Sequence, residues 1–216
     1  MSWWQAALKR VMDVLFGLVA LVLLLPVMAL VAVAVAVDST GPVIYGARRA
    51  GRHGREFTMW KFRSMARGAD RLGPAVTGSY DFRVTRVGAF LRRTKLDELP
   101  QLVNVLGGQM SLVGPRPEAP GYITLWTDEE RELLAFRPGL TGPTQVAYID
   151  EEELLVGDPD AVYESELMHA KLAVDLDYAQ RFTLRRDIAI MWTTLIGILS
   201  AGERRSNRPR RRYTLS

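Results

Sequence analysis

Apolar residues run without a charge from position 14 to position 37, VLFGLVALVLLLPVMALVAVAVAV, a stretch of 24 residues. As a straight helix it reaches roughly 36 Å at ~1.5 Å per residue, enough for a bilayer core of ~30 Å. Pro26 falls almost at its midpoint, with 12 residues before it and 11 after. Proline lacks an N–H and clashes with the preceding turn, so the pattern predicts a helix, a break and a second helix. Two half-helices of roughly 17 Å would dip into one leaflet and return. A kinked full span and a cleaved leader are the competing readings. The flanks favour the hairpin: Lys9 and Arg10 precede the run, and Arg48, Arg49, Arg52, Arg55, Lys61 and Arg63 follow it. Cations on both sides put both ends on the cytoplasmic face. An h-region of ~7–15 residues is much shorter than this run, which disfavours a leader.

Beyond the punctuation at residues 38–42, DSTGP, short β-like runs at residues 43–45 and 57–60 enclose a Gly/Arg loop, GRHGR at residues 51–55. That loop is either an anion cradle of N–H groups and guanidinium forks or a solvated hairpin turn. Residues 67–80 read as a polar loop. Residues 101–106 read as a short helix ended by Gly107 and Gly108. In residues 111–120, SLVGPRPEAP, three prolines exclude regular helix or a central strand, leaving Arg116 held between Pro115 and Pro117. Residues 127–136 are amphipathic and precede a second Pro/Gly loop, RPGLTGPTQV. The acidic residues 151–153 read as solvated surface, and residues 161–177 as a helix continuing towards Arg181. The 12 apolar residues 188–199 are too few to span a bilayer, so they lie at the interface or complete the core.

This pattern is α+β and predominantly helical: a re-entrant N-terminal membrane hairpin over residues 1–40, a small cytoplasmic domain with interfacial helices over residues 41–200, and an Arg-rich tail over residues 201–216. With 48% apolar residues the middle segment can build a core. Charge adds a direction. Seven Lys/Arg stand against one Glu in residues 48–67, and six Arg lie in residues 204–212, whereas acids gather in residues 118–177. One part of the molecule is built to meet anions, membrane lipid headgroups or phosphorylated ligands among them. Nucleic acid is not an expected partner, because neither aromatic-basic interleaving nor a groove-reading helix is present. The absence of cysteine removes thiolate nucleophiles and Cys-based zinc sites. The histidines, His53 and His169, are far apart and in no metal-binding spacing, and no Gly-rich phosphate loop occurs.

The candidate chemistry lies in TKLDELPQL at residues 94–102, where Asp97 and Glu98 adjoin immediately after Arg92 and Arg93. Were Thr94 the N-cap of a helix, Pro100 would fall inside it and disrupt it. An N-cap near Asp97 instead puts Pro100 in the tolerant first turn and the two acids at the helix entrance. There, helix N–H groups and the neighbouring cations favour both an ionised carboxylate and a bound phosphate. Asp97 is then either a helix cap or a nucleophile toward phosphorus. Glu98 could bind a divalent cation or handle a proton.

Five segments taken together, KRVMDVLFG, DSTGPVIYGARRAGRHGREFTMWKFRSM, TRVGAFLRRTKLDELPQLVNVLGGQMSLVGPRP, RPGLTGPTQV and DLDYAQRFTLRRDIAIMWTT, resemble the bacterial sugar transferase family, the small monotopic phosphoglycosyl transferases. The resemblance runs from about residue 5 to residue 200. It implies an enzyme of the bacterial cytoplasmic (inner) membrane, facing the cytoplasm, that transfers sugar-1-phosphate from a UDP-sugar to polyprenyl (undecaprenyl) phosphate, releases UMP and requires Mg²⁺. Such a step would open polysaccharide or glycoconjugate synthesis. By the same resemblance, Asp97 is the nucleophile on the β-phosphate, Glu98 its partner in Mg²⁺ binding or proton removal, Arg92 and Arg116 bind phosphate, and a helix broken at a proline matches Pro26. A ternary-complex mechanism, with Asp97 only binding Mg²⁺, is the alternative within this class. A membrane-tethered protein without activity is the alternative outside it. Two residues depart from the family pattern: Lys95 stands where a small residue, usually serine, is common, and Gln109 where Asp is usual. The sugar stays unidentified, and a homodimer is allowed.

Overall fold

Helix α1 (Trp3–Asp38) takes up the whole apolar run and continues through Pro26. The computed structural model describes residues 2–69, 72–73, 81–148, 151, 154–155 and 158–204, with side chains followed to residue 198. The expected pair of half-helices is one helix of 36 residues. Proline deletes a single i→i−4 bond, and the bonds on either side of it carry the helix past that gap. Only 11% of the most apolar 18-residue window of α1 is buried, so α1 is not the core helix of a water-soluble domain. Leu18, Val22, Leu23, Leu25 and Leu30 are all exposed along its middle.

Both ends of α1 are tied to the rest of the chain. At the N-terminal end Arg10 donates to the carbonyls of Val105 (2.7 Å) and Leu106 (2.9 Å), Asp13 accepts from the Ser111 hydroxyl and the Leu112 N–H (3.0 Å), and Lys9 pairs with Asp187. At the C-terminal end Arg63 donates to the carbonyls of Ser39 (2.6 Å) and Val35 (3.3 Å), while Asp38 accepts from the Val87 N–H (3.2 Å). Val31 and Val35 pack there on Phe62 and Leu91.

The expected hairpin follows. Strands β1 (Ile44–Ala50) and β2 (Glu56–Phe62) pair antiparallel, Gly46 opposite Trp60, and His53 takes a left-handed conformation (φ 59°) in the turn. Arg52 of that turn donates to the Ala135 carbonyl at 2.9 Å, so the Gly/Arg loop is a docked hairpin turn. Helices α2 (Arg86–Thr94) and α3 (Gln101–Leu106) come next, joined by a tight turn. Strand β3 (Ser111–Val113) pairs in parallel with β4 (Gly139–Thr141), Val113 opposite Thr141. The segment at residues 111–120 thus supplies an edge strand of a two-stranded sheet, not a central one: its three paired residues precede the first proline and keep their N–H groups.

Short helices α4 (Pro120–Ile123), α5 (Asp128–Arg131), α6 (Pro143–Ala147) and α7 (Pro159–Val162) lead to α8 (Met168–Gln180) and α9 (Leu184–Arg204). The amphipathic segment at residues 127–136 is α5 and the single turn after it, and Thr127 caps α5 in a reciprocal box with Glu130. Trp126, Leu133, Tyr163, Met168 and Leu172 form one core; Ala47, Met59, Val105 and Met110 form another beneath the hairpin. The exposed apolar side chains of α9, Ile188, Trp192, Leu195 and Ile196, give it an unburied face. The fold is thus α+β and mostly helical. Most of the loop at residues 67–80 and the Arg-rich tail from residue 205 lie outside the described residues.

Helix α2 reaches its position through Gly88, where a Cβ would overlap the Ser64 carbonyl. Gly88→Ala should therefore cost about 1–3 kcal/mol of stability. Gly121→Ala, where a Cβ meets nothing within 4 Å, should change it by less than about 0.5 kcal/mol. Thermal unfolding of the detergent-solubilised variants measures both.

Candidate active site

The turn between α2 and α3 carries the two acids. Lys95 ends α2 in the left-handed conformation (φ 58°, ψ 14°), Leu96–Glu98 form a single 3₁₀ turn, and Pro100 (φ −60°) stands immediately before α3. Proline is therefore tolerated for the reason expected, at the entrance of a helix that does not need its N–H. The capping arguments need correction. The Thr94 hydroxyl donates back to the carbonyls of Phe90 (2.9 Å) and Leu91 (3.2 Å), and α3 has no side-chain cap. Asp97 Oδ1 is buried without a hydrogen-bond partner. Nor does a helix dipole explain the site: α3 has six residues, and the acids precede it by a turn. The positive field comes from side chains.

Lys61, on β2, donates to Glu98 Oε1 at 3.1 Å. The hairpin is held against α3 by Asn104, which is fully buried: its Oδ1 accepts from the Trp60 N–H (3.0 Å) and its amide donates to the Thr58 carbonyl (2.8 Å). Gln109, one of the two departures from the family pattern, accepts from the same amide at 2.7 Å and so supports this seam. Asn104 thereby holds Lys61 close to the turn.

Arg116 approaches from the loop after β3. Its backbone N–H donates to Asp175 Oδ2 at 2.9 Å, and its guanidinium lies 3.8 Å from Glu151. Glu151 also pairs with Lys171, whose ammonium lies 4.7 Å from the centre of the Tyr163 ring, and Tyr163 donates to Glu118. The reading of Glu151 as solvated acid is thus corrected: its side chain is 15% exposed and holds two cations. Glu152 and Glu153 lie outside the described residues. Asp175 receives the Thr144 hydroxyl as well as Arg116.

The acids respond oppositely to this setting. Burial raises the Asp97 carboxyl above its ordinary range, and the adjacent Glu98 charge adds to the rise, against the pull of Lys61, Lys95 and Arg92. Glu98 also pays for burial, but Lys61, Lys95 and Arg116 outweigh it and hold its carboxyl at about 2. Glu98 thus stays ionised at neutral pH, while Asp97 is the more basic and the less hydrated of the two. A buried acceptor without a partner costs about 1–3 kcal/mol. Such a group in a ring of cations is the mark of a site kept ready for a ligand.

Asp97, Glu98, Arg92 and Arg116 are accordingly brought into one neighbourhood. Arg92, in the last turn of α2, acts on Asp97 through its charge. Pro26 is exposed, midway along α1. Lys61, Glu151, Lys171, Asp175 and Asn104 were not singled out from the sequence as site residues. Among the described residues no group of three His, Cys, Asp or Glu could hold a metal ion.

These features define a class: an α+β protein with one long apolar helix and a carboxylate pair set among cations. The chain belongs to the bacterial sugar transferase family, whose model matches residues 4–201, and is therefore an enzyme of that transferase class. It is similar to the UDP-glucose:undecaprenyl-phosphate glucose-1-phosphate transferase of Caulobacter vibrioides, 40% identical over 89% of this chain and 70% of the relative. The enzyme of that description from Xanthomonas campestris pv. campestris is 40% identical over 88% of this chain, which spans only 38% of its length. An exopolysaccharide production protein of Rhizobium leguminosarum bv. phaseoli is 39% identical over 91% of this chain and 97% of its own.

Asp175 provides a pH test of the network behind Arg116. It is 2% exposed, and burial pushes its carboxyl up to about 6 despite the hydrogen bonds from Thr144 and Arg116. The folded chain binds this proton more tightly than the unfolded chain, so the stability from Asp175 is greatest at low pH and is lost as pH rises through about 6. Between pH 7 and pH 5 the parent should gain roughly 1 kcal/mol from this group. Asp175→Asn should remove that gain, as read from denaturant midpoints at the two pH values.

Proposed function

We propose that this chain transfers sugar-1-phosphate from a UDP-sugar to undecaprenyl phosphate through an aspartyl-phosphate intermediate, at the cytoplasmic face of the bacterial inner membrane. The observation that carries the reading is Asp97: buried, without a partner on Oδ1, raised in basicity, and beside Glu98 held ionised by Lys61. A desolvated carboxylate among cations is suited to attack phosphorus, because the surrounding charge favours approach of a diphosphate that bare carboxylates would repel.

In the first step an Asp97 carboxylate oxygen bonds to the β-phosphorus of the donor. The bond from that phosphorus to the oxygen bridging it to the α-phosphate breaks, and UMP departs with its electron pair. In the second step a phosphate oxygen of the lipid attacks the same phosphorus, the acyl-phosphate bond breaks, and Asp97 is regenerated with the polyprenyl-diphosphate-sugar released. Glu98, held ionised by Lys61, Lys95 and Arg116, is too weak a base to take a proton from the lipid phosphate, whose own ionised oxygen attacks, and it would serve instead as the partner carboxylate of Asp97 toward Mg²⁺. Arg92 and Arg116 hold the phosphates, and the ties of Arg116 to Glu151 and Asp175 orient it.

Mg²⁺ fits the residues present. It keeps several waters and needs only one or two carboxylates plus substrate phosphate oxygens, and the unpartnered Oδ1 of Asp97 next to Glu98 supplies that set. Bound there, it would neutralise charge on the diphosphate.

A re-entrant α1 accords with the two tethered ends. Arg10 and Asp13 at one end, and Asp38 and Ser39 at the other, are held by the same domain. A full crossing would have to release one set of these bonds. An α1 that entered and left the membrane at one face would keep the soluble donor and the lipid phosphate at one surface.

Purified chain with Mg²⁺ should release UMP from UDP-glucose, the donor in the names of the Caulobacter and Xanthomonas relatives, or from UDP-N-acetylgalactosamine, the donor in the name of a relative from Aeromonas hydrophila, in a lipid-dependent manner. Without lipid, donor labelled at the β-phosphate should label the protein stoichiometrically, and Asp97→Asn should lose both signals while remaining folded. Lipid-dependent release without labelling would favour direct attack by the lipid. Because the chain has no cysteine, Ser2→Cys and Gly121→Cys report topology against an impermeant maleimide in intact spheroplasts. Both should be shielded from outside, and labelling of Ser2→Cys there would mean a full span.

A further inference from the structure

Three cations act on Glu98: Lys61, Lys95 and Arg116. Two are already committed. Lys61 is bonded to Glu98 itself, and Arg116 pairs with Glu151, which Lys171 also engages. Lys95 differs in each respect. It is exposed, and it makes no ion pair within 4 Å among the described residues. Its backbone is left-handed at φ 58°, which an L residue with a Cβ adopts only at an energetic cost.

That conformation turns the chain out of α2 directly into the turn bearing Asp97 and Glu98. From this position its charge acts on Asp97, on Glu98 and on Glu151, carboxylates from two separate segments. Lys95 is thus an exposed cation immediately before the turn in which Asp97 is buried. A phosphate that approaches Lys61 or Arg116 must compete with a carboxylate already in place. One that approaches Lys95 breaks no ion pair, and an uncompensated exposed charge also acts at longer range.

We propose that Lys95 is a substrate-binding residue that engages an incoming phosphate ester before the paired cations do. This rests on the phosphoryl-transfer reading above. The shared chemistry is a phosphate oxyanion, which either the donor diphosphate or the lipid monophosphate can present.

Lys95→Asn is the informative variant, because asparagine accepts the left-handed conformation and removes only the charge. Calorimetric titration of the purified full chain with UDP and with farnesyl phosphate, each at low and high salt, separates the two sources without requiring turnover. The Asn variant should bind one of them about 5- to 30-fold more weakly, with a flatter salt dependence, while Lys95→Arg keeps the parent affinity. Its unfolding temperature should equal or exceed the parent's. Weakening confined to UDP assigns the donor diphosphate; weakening confined to farnesyl phosphate assigns the lipid. Parent-like affinity for both probes would overturn the proposal, as would a variant altered only in kcat. Turnover measured in parallel tests the reaction itself: a parent that binds UDP but transfers nothing sinks the reaction and leaves the role of Lys95 readable.

Discussion

The structure depends on one constraint: the apolar helix is fastened at both ends to the segment that carries the acid pair. Arg10 satisfies the Leu106 carbonyl at the end of α3 and shares the Val105 carbonyl with the Gly108 N–H. Asp38 satisfies an N–H at the start of α2. The two helices that flank Asp97 and Glu98 are thus each closed by a side chain from an opposite end of α1. Between these anchors the helix exposes leucine and valine along its length. Membrane attachment and site geometry are therefore mechanically one feature, because displacing either end of α1 would free a terminus of α2 or α3.

On this frame the site separates two chemically similar acids by their surroundings. Asp97 is buried, with one oxygen left unsatisfied; Glu98 is given its own lysine. The Asn104 seam holds the hairpin at the spacing that lets Lys61 reach Glu98, and the substitution at Gln109 serves that seam. Behind Arg116, Glu151, Lys171, Asp175 and Thr144 form a network in which each buried charge has a partner. Unpaired, such charges would cost several kcal/mol each. Paired, they fix a guanidinium that faces Glu98 without neutralising it.

Some of this architecture was legible beforehand because it is local. The 24-residue apolar run, the hairpin around GRHGR, the short helix closed by Gly107 and Gly108, and the need to place Pro100 at a helix entrance all follow from residues adjacent in sequence. Of the two readings left open for Asp97, the cap rested on spacing alone, and α3 has no side-chain cap. A short turn inserted after the left-handed Lys95 moved the acids off the helix. Pro26 was read as an interruption, yet one missing hydrogen bond did not end a helix with so many others.

The sequence by itself determined the apolar helix, the cationic and acidic halves, the acid pair and its arginines, and, by resemblance, the family. Only the tertiary structure decided that Lys61 serves Glu98 from 37 residues away, that Glu151 is an interior anchor rather than solvated surface, and that Asp97 is buried. The reason is physical. Covalent spacing sets which groups can be neighbours along a helix or strand. The charge state of a carboxylate depends on how much water it has lost and which distant charges have been folded against it.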